Sequence, residues 1–202
     1  MEVKEQILNG ARELYMRYGL KSITMDDVAR HLSISKKTIY QFYEDKDALV
    51  LEVVNKEMSE QKCSIEEISD NSKDVIEEMM KTSDFLRSRV SKINPSLMFD
   101  LKKYHPKAWQ IFQQHKKQIV IKHLKESFIR GIEQGYFRKG INIDILAYMR
   151  LEQVDMAFNP DVFPPEMFNL TEVTMSLFEH FVYGISTIKG HQRLNELKHI
   201  KE

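Results

Sequence analysis

Apolar residues recur at helical spacing along nearly the whole chain, and this pattern restricts the possible folds more than any other feature. Near the start, Ile7, Ala11 and Leu14 lie on one face of such a helix. Gly19 follows as a residue that can end it. The 202 residues include only five prolines and seven glycines, too few for a β protein rich in turns. We therefore predict an all-α fold.

Helix length divides the predicted elements into two groups. Before about residue 60 the helices are short, and Thr24, Ser35 and Asp45 stand where N-capping residues are needed. Beyond it the spacing predicts longer helices and a polar tail. We expect a DNA-binding unit of three helices in residues 1–46 and a helical domain for ligand binding and dimerisation in residues 47–202. The later helices are predicted at about 72–92, 96–103, 106–134, 143–158 and 170–189.

The composition excludes several classes of protein. No apolar run approaches the roughly 18 residues of a membrane helix, and no secretory signal is visible, so we expect a cytoplasmic protein without a membrane partner. Cys63 is the only cysteine, which excludes an intrachain disulfide and a cysteine-based zinc site. The 30 basic and 30 acidic residues cancel, so the net charge gives no indication of nucleic-acid binding. Locally, residues 28–43 contain three cations and no acid.

Residues 24–43 have the pattern of a helix-turn-helix. Val28, Ala29 and Leu32 give the first helix an inward apolar stripe, and residues 31–34 supply a short turn. Ile39 anchors the second helix, whose outer face is polar, basic or aromatic. Spacing alone leaves a second interpretation open, in which the segment is a helical hairpin within a bundle.

The order of residues 24–49 resembles the DNA-binding signature of the tetracycline-repressor (TetR) family, and the match spans about residues 3–54. The resemblance implies a homodimer that binds a palindromic operator in double-stranded DNA, usually as a repressor released by a small ligand. It implies a recognition helix that contains Lys36, Thr38, Tyr40 and Gln41. It also implies a phosphate contact by Lys46 and a helix cap beside the DNA backbone at Thr24. Lys37 stands where a small residue is common, and its charge adds it to the predicted DNA contacts.

Besides Lys37, two positions depart from the family pattern. Ser33 replaces the usual glycine of the turn, so a residue with a Cβ must adopt the turn conformation. Phe42 stands where Tyr or His often touches phosphate, and it has no hydrogen bond to donate. We therefore leave Phe42 out of the predicted DNA contacts.

The second half is rich in Met and aromatic residues, which suit an apolar ligand pocket but also form ordinary core. The predicted pocket residues are Met98, Phe99, Tyr104, Trp109, Phe112, Phe128, Tyr148, Met149 and Met156. An apolar stripe near the end of the chain predicts a dimer interface, with packing inside the subunit as the alternative. The predicted interface residues are Phe178, Phe181, Val182, Gly184, Ile185 and Ile188.

Little in the sequence indicates catalysis. His115 and His123 share a helix face but are separated by about 12 Å of helix rise, too far for one metal ion. No nucleophile motif or phosphate-binding loop is present. We expect a regulator with no enzymatic activity, no metal and no cofactor, with DNA, a second copy and an unidentified effector as partners. The alternatives are a small-molecule-binding protein or an all-α enzyme that keeps the helix-turn-helix as scaffold.

Overall fold

The computed structural model describes residues 2–90, 93–94 and 96–199 and confirms the all-α prediction. The helices in this part of the chain are α1 Val3–Tyr18, α2 Met25–His31, α3 Lys36–Tyr40, α4 Lys46–Asp70, α5 Val75–Val90, α6 Leu97–Tyr104, α7 Pro106–Glu133, α8 Ile143–Ala157, α9 Leu170–Ile185 and α10 Ile188–Leu197. None of them is both long and apolar enough to cross a membrane.

The predicted helix boundaries in the N-terminal region are confirmed by their capping contacts. Gly19 follows α1 with φ +84°, a conformation that favours glycine. Thr24 and Asp27 form a reciprocal capping box at the start of α2. The Ser35 hydroxyl accepts the Thr38 N–H at 3.1 Å. The Asp45 carboxylate accepts the Ala48 N–H at 2.8 Å, and α4 begins there.

The C-terminal end differs from the prediction. The last predicted helix, 170–189, stops at Ile185, because Ser186 has extended backbone with φ −76° and ψ 152°. A further helix, α10, begins after Thr187, whose hydroxyl accepts the Gly190 N–H. The predicted polar tail was therefore wrong for residues 188–197, where Leu194 is buried. The predicted helix end at Lys92 lies outside the described residues.

The chain forms two compact units. Unit 1 consists of Met1–Gln61 and Lys92–Lys116, and unit 2 consists of Lys62–Ser91 and Lys117–Glu202. The expected division at residue 46 differs from this arrangement because α4 continues unbroken from Lys46 and α6 belongs to the unit that contains α1–α3. Each unit has its own core, whose innermost side chains are fully buried. These are Ile7, Val28, Ile39 and Leu49 in unit 1, and Ile76, Phe128, Phe137 and Val182 in unit 2.

The apolar stripe of α9 packs inside unit 2. Phe178, Phe181, Val182 and Ile185 are all at most 5% exposed and contact the unit 2 core. These four side chains therefore pack within the subunit, which was the alternative to the predicted dimer interface, and the position of the interface stays a prediction. Ile188 is 80% exposed, and Gly184 has open space around its Cα, so these two remain available to a partner.

Candidate nucleic-acid interface

The turn between α2 and α3 is a Schellman motif. The Ser33 N–H donates to the Arg30 carbonyl at 3.2 Å, and the Ile34 N–H donates to the Ala29 carbonyl at 3.0 Å. Ser33 itself has φ +55°, which confirms that a residue with a Cβ occupies the left-handed turn position. The motif ends α2 sharply and lets α3 start at Lys36, only five residues after α2 ends.

Buried contacts fix α3 in the unit 1 core. Ile39 is completely buried together with Val28 of α2, and the small Ala29 is also buried. Because Ile39 points inward, the helix face that carries Lys37 and Tyr40 lies on the outer side. Lys37, Tyr40 and Gln41 are exposed there, and Tyr40 keeps 45% of its surface accessible. The structure therefore gathers these three predicted DNA-contact residues on one accessible surface.

Lys36 is also exposed but has a partner. Its Nζ lies 2.9 Å from the Asp26 carboxylate of α2 and 6.0 Å from the centre of the Tyr40 ring. The hydrogen bond to Asp26 raises the pKa of Lys36 above its usual value. The pairing of Asp26 with Lys36 was not predicted from the sequence, because residues ten positions apart have no regular helical spacing. A phosphate near Lys36 would compete with this carboxylate.

The hydroxyl groups at the start of α2 and α3 serve mainly as helix caps. The Thr24 hydroxyl accepts the Asp27 N–H at 3.2 Å and donates to the Asp27 carboxylate at 2.6 Å. The hydrogen bonds that the Asp27 carboxylate accepts from the Thr24 hydroxyl and backbone N–H lower the pKa of Asp27. Thr38, partly buried, has its hydroxyl 2.8 Å from that of Ser35. The two predicted DNA-contact residues Thr24 and Thr38 are therefore held in place by hydrogen bonds at the starts of α2 and α3.

Lys46 points toward the loop between α1 and α2. Its Nζ donates to the Leu20 carbonyl at 2.5 Å, and its ring contact with Tyr15 is 6.0 Å. Burial lowers the pKa of Lys46, while the neighbouring carboxylates of Asp100 and Asp47 oppose this shift. In this structure the lysine joins the start of α4 to the loop between α1 and α2. The phosphate contact predicted for Lys46 would use the ammonium group that here donates to the Leu20 carbonyl.

A segment distant in sequence supports the same loop. The buried Asp100 carboxylate of α6 accepts the backbone N–H of Lys21 at 3.0 Å. The N–H of Asn94 donates to the Met16 carbonyl at 2.7 Å. At the other end of α6, His105 Nδ1 lies 2.5 Å from an Asp47 carboxylate oxygen. Sequence reasoning missed these contacts, because no local spacing relates positions 58 to 79 residues apart.

The predicted ligand residues have mixed environments. In unit 1, Trp109 and Phe112 stack at 5.6 Å and pack against the core, whereas Phe99 is 58% exposed. Met98 is partly buried and Tyr104 is exposed. The other four predicted residues lie in unit 2.

In unit 2, Phe128 is completely buried and lies 5.8 Å from the Phe181 ring. Tyr148 and Met149 are exposed on α8. Met149 and Met156 line an open hollow of about 500 Å³ on the α8 surface, together with Glu152, Gln153, Asp155 and Asn159. The described residues contain no group of three or more His, Cys, Asp or Glu side chains placed to hold a metal ion.

Comparison with known proteins is consistent with this arrangement. Residues 7–53 match the family model described as bacterial regulatory proteins, tetR family. The HTH-type transcriptional regulator YvaF of Bacillus subtilis is 30% identical over 169 residues, which cover 82% of this chain and 86% of YvaF. The matches indicate a transcriptional regulator rather than an enzyme.

Solved structures share the fold at low sequence identity. A TetR-family regulator from Agrobacterium tumefaciens has a TM-score of 0.74 and 18% identity, covering 91% of this chain and 97% of that chain. The regulator FadR from Bacillus subtilis, solved in complex with stearoyl-CoA, has a TM-score of 0.66 and 17% identity, covering 90% of this chain and 98% of that chain.

Proposed function

Because the chain belongs to the TetR family of bacterial regulatory proteins, we propose that it is a homodimeric repressor that binds a palindromic operator and leaves it when a small, largely apolar ligand binds. The observation that carries this proposal is the outer surface of α3, where Lys37, Tyr40 and Gln41 are exposed above the buried Ile39. A helix exposed in this way, after a tight turn, suits insertion into the major groove.

The side chains of α3 supply complementary contacts. Lys36 and Lys37 neutralise phosphates and release counterions. Gln41 can form a pair of hydrogen bonds with an adenine edge, and Thr38 can contact a thymine methyl or a phosphate. Tyr40 combines a flat ring with a hydroxyl that reaches the DNA backbone. The lysines therefore contribute affinity for any sequence, whereas Gln41 and Thr38 contribute specificity.

A palindromic operator requires two copies of the recognition helix related by a two-fold axis. The exposed apolar side chains of α8 support a dimer face there: Ile145 is 64% exposed, Tyr148 43% and Met149 41%. Exposed apolar groups gathered on one helix mark an interaction surface more often than scattered ones do. We place the dimer contact on this α8 face.

The effector part of the proposal rests on unit 2 and on a relative. Phe128, Phe137, Phe178 and Phe181 give this unit an aromatic interior. The Bacillus subtilis FadR structure was solved in complex with stearoyl-CoA, which carries a long acyl chain. An effector with a large apolar portion is consistent with both observations.

DNA binding is tested by fluorescence anisotropy with the region upstream of the protein's own gene. Lys37→Ala should weaken binding to all sequences and reduce the slope of log K against log salt by about one. Gln41→Ala should change the preferred bases instead. Lys122→Ala, on the exposed side of α7, is the matched control and should leave binding unchanged. A folded protein that fails to bind this DNA at low salt would contradict the proposal.

Dimerisation is tested by light scattering coupled to size-exclusion chromatography. The double change Ile145→Glu and Met149→Glu should produce monomers, because it places two charges in the apolar face. Ile129→Glu on α7 introduces a charge at a position that is 46% exposed and should leave the dimer intact. A monomeric wild-type protein, or a dimer unaffected by the α8 changes, would contradict this part of the proposal.

A further inference from the structure

Arg150 on α8 is a cation in an unusual environment. Its guanidinium carbon lies 5.5 Å from the centre of the Phe178 ring and 5.7 Å from that of Phe181. Both rings are nearly fully buried in the unit 2 core, and Phe181 also contacts Phe128. The arginine head group therefore lies against the aromatic interior of unit 2, although part of the side chain remains accessible.

Arg150 lacks an acidic partner in the part of the chain that the structure describes. Its polar contact is a long hydrogen bond of 3.4 Å from a guanidinium nitrogen to Gln153 Oε1. Helix spacing explains this, since the neighbours one turn away on α8 are Leu146, Ala147, Gln153 and Val154, none of which is acidic. On α9, the residue that follows Phe178, Glu179, pairs with Lys198 at 2.6 Å.

The physical cost of this arrangement calls for a compensating interaction. Burial lowers the pKa of Arg150 to about 10, so the group stays charged at neutral pH. A desolvated cation is unfavourable unless an anion or several hydrogen-bond acceptors satisfy its donors, and the two ring contacts supply only part of this. By contrast, Arg130 of unit 2 pairs with the buried carboxylate of Glu78 at 2.5 Å.

We propose that Arg150 binds the anionic group of the effector, a carboxylate or a phosphate, and that the effector is therefore an amphiphilic organic anion. A planar guanidinium can donate two parallel hydrogen bonds to either group. The apolar portion is that of the largely apolar ligand proposed above, to which Arg150 adds a charged group. This inference rests on the proposed function, because it assigns a chemical class to the ligand proposed there.

The test uses calorimetry of the full-length protein with octanoate, octyl phosphate and 1-octanol, which share one chain length. We expect the better of the two anions to bind about tenfold or more tightly than the alcohol. Arg150→Met should abolish that difference, and the anion that responds identifies the head group. Arg87→Met, an exposed arginine of α5 paired with Asp84, is the matched control and should retain the difference.

Stability distinguishes a binding role from a structural one. If Arg150 serves the ligand, Arg150→Met should melt at the same or a higher temperature, because a partly buried cation without an acidic partner is replaced by an apolar side chain of similar length. A clearly lower melting temperature would assign Arg150 to the core and overturn the proposal. Equal binding of the alcohol and both anions, or binding of none of the three by folded wild-type protein, would also overturn it.

DNA binding is measured separately so that the two proposals can fail independently. Ligand-free Arg150→Met should bind operator DNA as wild-type does. If wild-type protein binds no DNA but prefers an anion through Arg150, the repressor proposal fails and the anion site stands. If DNA binding is present and no anion preference exists, the anion site fails and the DNA-binding proposal stands.

Discussion

The buried carboxylate of Asp100, on α6, accepts the backbone N–H of Lys21 at 3.0 Å. Lys21 lies in the loop between α1 and α2, directly before the helix-turn-helix, and Gly19 in the same loop approaches α6 closely. A Cβ at position 19 would lie 2.9 Å from the Ser96 hydroxyl and 3.2 Å from the Asp100 carboxylate. Residues 79 positions apart therefore determine the conformation of one loop.

Asp100→Ala should destabilise the protein by about 1–3 kcal/mol, because it removes the acceptor of a partly buried backbone N–H. DNA affinity should fall as well, since the loop that precedes α2 loses its support. Asp100→Asn keeps an acceptor oxygen and should retain most of both properties. Chemical denaturation and anisotropy measure the two effects, and equal behaviour of the Ala and Asn variants would contradict this explanation.

Ser33→Gly should stabilise the protein by about 1 kcal/mol. The residue has φ +55°, which is unfavourable for a side chain with a Cβ and free of that penalty for glycine. Ser33→Ala keeps the Cβ and is the matched control, so it should show no stabilisation. The free energy of unfolding from urea titration measures both changes. A glycine variant no more stable than the alanine variant would show that the turn is not strained at this residue.

Asp26→Asn should strengthen DNA binding by about two- to fivefold at low salt. The change frees Lys36 from an exposed ion pair and removes a negative charge beside the DNA-facing surface. The gain should shrink as salt concentration rises, because screening weakens both effects. Asp84→Asn breaks a comparable exposed pair with Arg87 on α5 and should leave affinity unchanged. Weaker binding by Asp26→Asn would mean that the ion pair positions Lys36 for the phosphate.

His123 should make the protein less stable in mild acid. Burial lowers the pKa of His123 and outweighs the attraction of Glu78, whose charge is already paired with Arg130. The unfolded histidine has a pKa of about 6.5. Stability should therefore be full above about pH 6.5 and fall as the pH decreases toward the lower folded-state pKa, since the unfolded chain then binds more protons.

His123→Gln should reduce this pH dependence, because glutamine does not titrate. Melting temperatures between pH 7.5 and 5 measure the difference between the variant and wild-type protein. Lys122→Gln, at an exposed neighbouring position on α7, should retain the wild-type dependence. Identical pH profiles for His123→Gln and wild-type protein would assign the acid sensitivity to other groups.

The N-terminal region could be predicted because its determinants are local. Thr24 and Asp27 are three residues apart, and the apolar spacing that buries Val28 and Ile39 spans one helical hairpin. The α6 contacts have no such signature, since Asp100 and Lys21 meet only after the chain has folded. The role of the α9 stripe could not be assigned from the sequence, because apolar spacing is the same whether Phe178 packs inside a subunit or between two subunits. The sequence did not single out Arg150 as a candidate binding residue, because the lack of an acidic neighbour becomes significant only when the side chain packs against the core.

The membership of α6 in unit 1 determines how this regulator can be recombined with others. A chimera that transfers only residues 1–46 to another regulatory domain would separate the loop between α1 and α2 from α6, because Lys21 would lose its contact with Asp100. Such a graft would carry the DNA-reading residues without the part of the chain that orients them. A DNA-binding unit for transfer should instead also include residues 92–116. The DNA-binding unit of this protein is therefore compact in space but discontinuous in sequence.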